Sequence, residues 1–239
     1  MVKQPEESTL DHQHWFAGGD IFYRQKDRQR LEYAVDALVN KEMGLAVIAT
    51  HETVLDHYGR MVLTRLRKHK NFQLEVLLPT DTESLIERFN SMLAAMSVQQ
   101  ATQPAEPSTT VKLLVINDPE LIKEEHWMLI KRLFNDFPGV NFRLILFINK
   151  TEHPNFQKTL DLFPTRLHRW LVENLSPSEA QQLLEAAREH GYGSDVETLL
   201  LQTGLGDRLG LWGPAPEVDH SVARGDQATE TEVEDDPDS

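Results

Sequence analysis

The sequence predicts an α/β fold in which a parallel sheet carries helices on both faces, giving three layers. Short apolar runs alternate with amphipathic helical patterns along most of the chain. Two of these runs, "VKLLVIND" (Val111–Asp118) and "FRLILFIN" (Phe142–Asn149), are continuously apolar, as is typical of strands buried on both faces. Strands that alternate with helices join through crossovers and build a parallel sheet.

The composition indicates a soluble globular protein of the cytoplasm. The chain has 239 residues, of which 40% are hydrophobic and 26% charged, and it contains no cysteine. The absence of cysteine excludes disulfides and thiolate metal sites and fits a reducing compartment. The polar start "MVKQPEESTLDHQHW" lacks the apolar core of a signal peptide, and no apolar run approaches the roughly 20 residues of a membrane span.

The elements follow from local patterns taken in chain order. Asp27 is the expected cap of the first helix, and Pro79 is expected to end the second strand. Ser176, Pro177, Glu179 and Gly191 form the clearest helix signature, a capping box with proline at the first position and glycine at the end. The predicted helices cover residues 27–42, 52–68, 81–97, 119–136, 155–163, 176–192 and 194–202. The predicted strands cover residues 45–49, 72–79, 111–118 and 142–149, with 167–175 extended.

Polar and charged segments set the expected domain limits. Residues 1–14 are expected to be a flexible lead-in, and 98–110 a polar, proline-bearing loop. Residues 15–192 form the α/β domain, and 193–213 a short helical and turn extension. Residues 214–239 are expected to be a disordered acidic tail, since residues 215–239 hold nine acidic residues against one arginine.

The order of these elements, with "LLVIND", "RLILFIN" and "LSPSEA" in place, resembles the core of an AAA+ ATPase, a P-loop NTPase fold. Within that superfamily the chain is most similar to bacterial ExeA-like (general secretion pathway A) ATPases. Pro164–Arg166, Leu175–Ala180 and Leu184–Gly191 match the final segment of those proteins. The resemblance covers about residues 15–192 and implies a nucleotide site at the end of the strand Leu45–Ala49.

The phosphate loop that this family requires is missing from the sequence. When the segment is aligned by the family's spacing, Thr50 and Leu55 stand where the family has its two glycines. Asp56 stands where it has the lysine, and His57 where it has the residue with the hydroxyl group. Backbone N–H groups of the glycines, the lysine and the hydroxyl hold the phosphates and magnesium in such loops. No glycine lies between Gly44 and Gly59, and Asp56 would repel a triphosphate. We therefore expect no cofactor.

Four further positions match the family's functional residues in part. Asn117 stands where the family has the aspartate linked to magnesium, and Asp118 stands where it has the acid that activates water. Asn149 matches the polar sensor at the end of the next strand, and Arg166, or Arg169, the arginine that senses a neighbour's phosphate. Asn149 is equally explained as a strand-end residue whose side chain bonds to the local backbone. Arg166 is also explained by a salt bridge or by a role in an interface.

Other chemistry receives little support. His51, Glu52 and Asp56 do not have the spacing of a zinc motif, so no metal site is expected, and Asp56–Arg60 fits a helix-surface pair. The aromatic segment Trp15–Arg24 is expected either to fill the adenine position or to offer a docking surface.

The resulting prediction is an inactive AAA+-like scaffold, adaptor or regulatory subunit of a bacterial assembly, such as one for secretion, polysaccharide export or division, with protein partners. The alternatives are a divergent ATPase that uses Asp118, Asn149 and Arg166, and a DNA-associated accessory protein that binds through Arg65–Lys70. The acidic balance of the chain disfavours nucleic acid.

Overall fold

The computed structural model describes residues 15–77, 82–106, 108–206 and 209–211. Its strands are β1 (Phe16–Ala17), β2 (Asp20–Ile21), β3 (Gly44–Ala49), β4 (Phe72–Leu77), β5 (Val111–Ile116), β6 (Phe142–Asn149) and β7 (Leu167–Leu171). Its helices are α1 (Asp27–Val39), α2 (Glu52–Leu66), α3 (Thr82–Ala94), α4 (Val98–Thr102), α5 (Glu124–Asp136), α6 (Phe156–Asp161), α7 (Pro177–Glu189) and α8 (Gly193–Gln202). None of these helices is long and apolar enough to cross a membrane.

The central sheet has five strands in the order β4-β5-β6-β3-β7, and every neighbouring pair is parallel. The first of these strands along the chain, β3, therefore lies inside the sheet between β6 and β7. All six residues of β3 are buried, which explains why its sequence is continuously apolar. β1 and β2 form a separate antiparallel pair near the amino terminus.

Two apolar clusters cover the two faces of the sheet. Leu45 and Val47 of β3 belong to a cluster shared with α1, α2, α7 and α8. Ala46 and Ile48 belong to the other cluster, which α3, α5 and α6 cover. Successive residues of a strand point to opposite faces, so this alternation places helices on both sides. The predicted three-layer α/β fold is confirmed.

The segment 98–110, which the sequence analysis treats as a loop, begins with a helix instead. Ser97 accepts a hydrogen bond from the backbone N–H of Gln100 at 3.2 Å, and the Gln100 side chain accepts one from the Ser97 N–H at 2.9 Å. This capping box starts α4, which lies against the turn Pro138–Val140. A Cβ on Gly139 would lie 1.7 Å from the Gln100 carbonyl oxygen, so only glycine permits this contact.

Three smaller predictions are also wrong in detail. Asp27 is not the cap residue: Lys26 holds that position, and Asp27 is the first residue of α1 and is fully buried. Asp56 and Arg60 do not form a side-chain ion pair; the Arg60 Nε donates to the Asp56 carbonyl oxygen instead. The predicted helix 119–136 is a short turn at Pro119–Leu121 followed by α5, because the two segments meet at an extended Ile122.

Several predictions lie outside the described residues. These are the flexible segment 1–14, the acidic tail 214–239, and the stop at Pro79. The extension 193–213 is described in part, as α8 and the turns that follow it.

Candidate functional site at the carboxyl edge of the sheet

A ligand in an open α/β sheet binds outside the carboxyl ends of the strands, where two neighbouring strands send their connections to opposite faces. Here that position lies between β3 and β6. β3 continues into α2 on one face, and β6 continues into α6 on the other. The carboxyl edge near Thr50 is therefore where the fold would hold a nucleotide.

The connection from β3 to α2 is too short to wrap a phosphate. β3 ends at Ala49 and α2 begins at Glu52, so only Thr50 and His51 join them. A phosphate loop needs several consecutive backbone N–H groups that point into one concavity. Asp56 and His57 are part of α2 itself, so the positions of the family's lysine and hydroxyl are helical here.

The crevice between the strand ends is bridged by hydrogen bonds within the chain. The Thr50 hydroxyl donates to Asn174 Oδ1 at 3.0 Å, which links the ends of β3 and β7. The Thr151 hydroxyl donates to the Thr50 carbonyl oxygen at 3.2 Å, and the Thr151 N–H donates to Asn149 Oδ1 at 3.0 Å. These bonds satisfy groups that would otherwise face a ligand.

Negative charge collects at the same edge. Glu120 has a pKa above the usual value because it is partly buried and because Asp118, Glu152 and Glu52 repel its ionised form. Four carboxylates are therefore close enough to interact where a polyphosphate would lie. Among the described residues no group of three or more acidic, histidine or cysteine side chains has the arrangement to hold a metal ion.

The structure brings some of the sequence-predicted site residues together. Thr50 and Asn149 share Thr151 as a partner. Asn117 and Asp118 directly follow β5, beside β6, with Asn117 exposed and Asp118 half-buried. These residues lie at the carboxyl edge, as strand-end positions in a parallel sheet must.

Asp56 and His57 point to different surroundings. Asp56 is exposed on α2. His57 turns towards the β1–β2 pair and donates its Nε2–H to the Ile21 carbonyl oxygen at 2.6 Å. Burial lowers the pKa of His57, so this side chain is neutral in its site.

Arg166 lies at the opposite edge of the sheet from the other positions. It directly precedes β7, and its carbonyl oxygen accepts the N–H of Gly44, the first residue of β3, at 2.7 Å. Since a six-residue strand spans about 20 Å, Arg166 is remote from Thr50. Its Nη1 donates to the Phe134 carbonyl oxygen at 3.2 Å, and its guanidinium lies 5.4 Å from the Phe134 ring centre.

The aromatic segment Trp15–Arg24 is built into the domain. Trp15, Phe22 and Tyr23 are buried in the cluster on the α2 face. Phe16 stacks on Tyr192 with ring centres 5.1 Å apart. This packing removes most of the segment's aromatic surface from a role in docking.

A buried polar group that the sequence analysis did not identify holds this segment. The Tyr58 hydroxyl donates to Asp27 Oδ2 at 2.7 Å and accepts the N–H of Tyr23 at 2.8 Å. Burial raises the pKa of Asp27. The only sequence signal was an acidic residue at the start of α1, which is also what an exposed cap would show.

Arg24 fixes the segment to the end of β7. Its Nη1 contacts Glu173 and its Nη2 contacts Glu179, both at 2.5 Å. The pKa of Glu179 is lowered to about 2: burial raises it, but the Ser176 and Arg24 hydrogen bonds outweigh that effect. Together these contacts anchor the amino-terminal segment over the carboxyl edge near β7.

Comparisons with known proteins give only remote structural similarities. The sequence matches no known family, and it matches no curated protein. Cdc6p from Pyrobaculum aerophilum has a TM-score of 0.44 at 12% identity, covering 70% of this chain and 50% of that one. The Aeropyrum pernix ORC1 protein in complex with DNA gives 0.45 at 12% identity, covering 76% and 54%. The P-loop NTPase domain of the sigma-54 transport activator from E. coli gives 0.37 at 16% identity, covering 62% and 97%.

This chain therefore spans about half the length of the Cdc6p and ORC1 chains that it matches. The parallel pairing and the order of the strands define the fold more firmly than these low similarities do. With β3 inside the sheet and helices on both faces, the chain has a three-layer α/β fold built on a five-stranded parallel sheet.

Proposed function

We propose that this chain is an AAA+-like domain that does not hydrolyse nucleotide and that serves as a scaffold, adaptor or regulatory subunit. By its resemblance to ExeA-like proteins, we place it in a bacterial assembly of the cytoplasm or cell envelope. The two-residue connection between β3 and α2 carries the proposal, since it leaves no loop to enclose a triphosphate.

Electrostatics support the same conclusion. A triphosphate would have to approach Glu120 and the three carboxylates that already repel it. The sequence has no lysine between Lys41 and Lys68 to offset that repulsion. Phosphate binding without cations or oriented N–H groups is unfavourable because the anion loses its hydration without compensation.

A role in binding other proteins is supported by exposed apolar side chains. Met128 on α5 is 46% exposed and lines a cavity of about 370 Å³, and Leu121 on the preceding turn is 59% exposed. Exposed apolar surface beside a concave site is a common feature of protein interfaces.

The test of inactivity is calorimetric titration of the full chain with ATP and Mg²⁺, alongside an assay of phosphate release. We expect no hydrolysis, and no binding tighter than about 1 mM, which corresponds to roughly 4 kcal/mol. Binding tighter than about 100 μM would contradict the proposal.

A charge-neutral variant separates the two physical causes. Glu52→Gln, Glu120→Gln and Glu152→Gln together remove most of the repulsion but leave the short connection unchanged. If the connection is decisive, this variant also fails to bind ATP. If it binds, the carboxylates are what exclude the nucleotide, and the geometric argument is wrong.

The partner role is tested by affinity capture with the full chain and with a Leu121→Glu, Met128→Glu variant. Tyr33→Gln is the matched control, since Tyr33 is also exposed but lies on α1. We expect the partner to be lost only from the first variant. Equal capture by all three proteins would remove this surface from the proposal.

The two alternatives are less well supported. A divergent ATPase would use Asp118, Asn149 and Arg166 together, but Arg166 lies at the opposite edge of the sheet. A DNA-binding role would use Arg65–Lys70, yet Arg65 is paired with Asp20 at 2.6 Å. Salt-sensitive retention of DNA in a gel-shift experiment would favour the DNA role over the scaffold.

A further inference from the structure

The amino edge of the sheet holds a buried arginine that forms no ion pair within the described residues. Arg143, the second residue of β6, is 5% exposed. Its Nη1 donates to the carbonyl oxygens of Leu38 and Val39 at the end of α1. Its guanidinium also lies 5.8 Å from the ring centre of Phe72. Burial lowers the pKa of Arg143, and the nearby Glu42 carboxylate offsets that effect only in part.

A second arginine is held in the same way nearby. Arg166 is anchored by the Phe134 carbonyl oxygen and the Phe134 ring, and within the described ranges it too has no ion pair. Both guanidinium groups are positioned by neutral hydrogen-bond partners and not by ion pairs, and Glu42 is the nearby acid that favours the charged form of Arg143. Desolvating Arg143 without an ion pair is costly, and an anionic ligand would relieve that cost. Arg166 is exposed, so its charge is accessible to such a ligand.

Arg143 borders two adjoining cavities. One, of about 450 Å³, is also lined by Lys41, Arg166 and Phe137. The other, of about 400 Å³, is also lined by His69, Lys70 and Thr109. The cavities share Glu42, Ala105, Asn141 and Arg143, so they form one continuous depression, here called the amino-edge groove.

The groove is electropositive in an acidic chain. Lys41, Lys70, Arg143 and Arg166 line it against Glu42 and Glu106, while the whole chain has a net charge of −14. Glu42 and Asn141, which both line it, have φ angles of 54° and 52°. A left-handed backbone at a glutamate is uncommon and stores strain, as is often found at binding sites.

We infer that the amino-edge groove binds a carboxylate-rich peptide, and that the occupant is the carboxyl-terminal sequence of this same chain. Residues 215–239 hold nine acids: Glu217, Asp219, Asp226, Glu230, Glu232, Glu234, Asp235, Asp236 and Asp238. Arginine forks recognise carboxylates by paired hydrogen bonds. Two adjoining cavities of about 450 and 400 Å³ fit a peptide better than a single small anion.

Covalent connection favours this occupant over a free one. The rest of the chain is itself acidic, so a free acidic peptide or a nucleic acid is repelled as it approaches. A tethered segment has an effective concentration in the millimolar range, which offsets that repulsion. A domain of this size is about 40 Å across. The nine acidic residues lie 6 to 27 positions beyond Leu211. A fully extended chain of 27 residues spans up to roughly 90 Å, so these residues can reach any part of the domain surface.

Carbodiimide cross-linking of the full chain tests the inference, because it joins a lysine to a carboxylate only in direct contact. Lys41 contacts Asp36 at 2.9 Å, so a Lys41–Asp36 product is the internal positive control. We expect Lys70 to couple to acidic residues within 217–238 with a yield at least about fivefold above the yields of Lys131 and Lys158. We also expect this difference in yield to fall at high salt. Equal yields at the three lysines would overturn the inference.

Substitutions show whether the arginines hold the segment. Arg166→Gln removes one positive charge at an exposed position, and Arg143→Lys keeps charge but loses the fork. Both are expected to lower the Lys70 yield several-fold. The matched control is Arg188→Gln, which removes an exposed arginine on α7 that pairs with Glu197 at 2.7 Å, away from the groove. An unchanged yield in Arg166→Gln would overturn the inference.

Hydrogen exchange gives an independent readout and identifies the source of the acids. Neutralising the nine acids to Asn and Gln in the full chain is expected to speed exchange at residues 69–72 and 141–143. No change there would overturn the inference. Cross-linked dimers that increase with protein concentration would instead assign the acidic segment to a second copy and overturn the choice of the same chain.

Discussion

The two edges of the central sheet differ in charge and in how their polar groups are satisfied. At the carboxyl edge, Thr50, Thr151 and Asn174 bond to one another, and carboxylates surround Glu120. At the amino edge, Arg143 and Arg166 are held by carbonyl oxygens and aromatic rings and, within the described residues, form no ion pair beside two open cavities.

The difference shows that the two ends of one α/β sheet can offer opposite charge to a ligand. The carboxyl edge is where the fold normally binds ligands. Here only Thr50 and His51 join β3 to α2, and Thr50 bonds to Asn174 and Thr151. The amino edge, which in most such folds only supports the structure, carries two arginines that form no ion pair within the described residues. Fold alone therefore does not locate function in this chain.

The largest expected effect comes from breaking the packing of the amino edge. Gly139→Ala places a Cβ 1.7 Å from the Gln100 carbonyl oxygen and must displace α4. We expect a loss of about 1–3 kcal/mol in the free energy of unfolding, measured by urea titration. Gly191→Ala is the control: its φ of 80° is strained for alanine, but nothing crowds its Cβ. An equal or smaller cost at Gly139 would refute the steric argument.

The next effect tests the anchor at the carboxyl edge. Glu179→Ala removes both the capping box of α7 and the contact with Arg24, at an expected cost of about 1–2 kcal/mol. Glu179→Gln keeps the box and loses only the ion pair, which is half-exposed and contributes less than about 1 kcal/mol. Because the Glu179 pKa is lowered to about 2, its contribution is present above the usual glutamate pKa and lost as pH falls towards 2.

The Glu179 predictions are checked by thermal unfolding of the three proteins at several pH values. The stability difference between the native chain and Glu179→Gln should shrink in acid. A difference that stays constant across that range would show that the ion pair contributes nothing.

A smaller effect concerns the bond that closes the crevice. Thr50→Val removes the hydroxyl that reaches Asn174 and is expected to cost about 1 kcal/mol. Thr151→Val removes the neighbouring bond to the Thr50 carbonyl oxygen, and the double variant measures their coupling. Fully additive unfolding energies would mean that the two bonds do not act as one bridge.

The smallest effect tests the repulsion among the carboxylates. Glu120→Gln is expected to stabilise the chain at neutral pH by up to about 0.5 kcal/mol, because it relieves repulsion from three neighbours. Because folding raises the pKa of Glu120, its carboxyl group adds to the free energy of unfolding below the usual glutamate pKa. That contribution is lost as the pH rises. The advantage of the variant should therefore grow from about pH 4 to about pH 7, measured by urea titration. A destabilised variant at neutral pH would contradict the clustering.

The sequence predicted the sheet and its layers because those depend on local periodicity. The apolar runs at Val111–Ile116 and Phe142–Asn149 became β5 and β6, and the capping box at Ser176 starts α7. The same signal at Ser97 and Gln100 predicts α4, but the polar composition of 98–110 obscured it.

The candidate site was predicted only in part. Strand-end residues such as Thr50 and Asn149 were found because parallel strands bring their carboxyl ends to one edge. The remote position of Arg166 follows from the parallel pairing of β7 with β3, which the extended pattern at 167–175 did not reveal. The burial of Asp27 was not predicted because burial depends on residues distant in the chain.

The amino-acid sequence by itself determined that the segment after Leu45–Ala49 lacks the residue types of a phosphate loop, since no glycine lies between Gly44 and Gly59 and no lysine between Lys41 and Lys68. Only the tertiary structure decided which partners the charged and polar groups have. Thr50 meets Asn174 across 124 residues, Arg24 meets Glu179 across 155, and Arg143 meets the Leu38 carbonyl oxygen across 105. Such long-range pairings depend on how the layers pack, and local pattern contains no information about them.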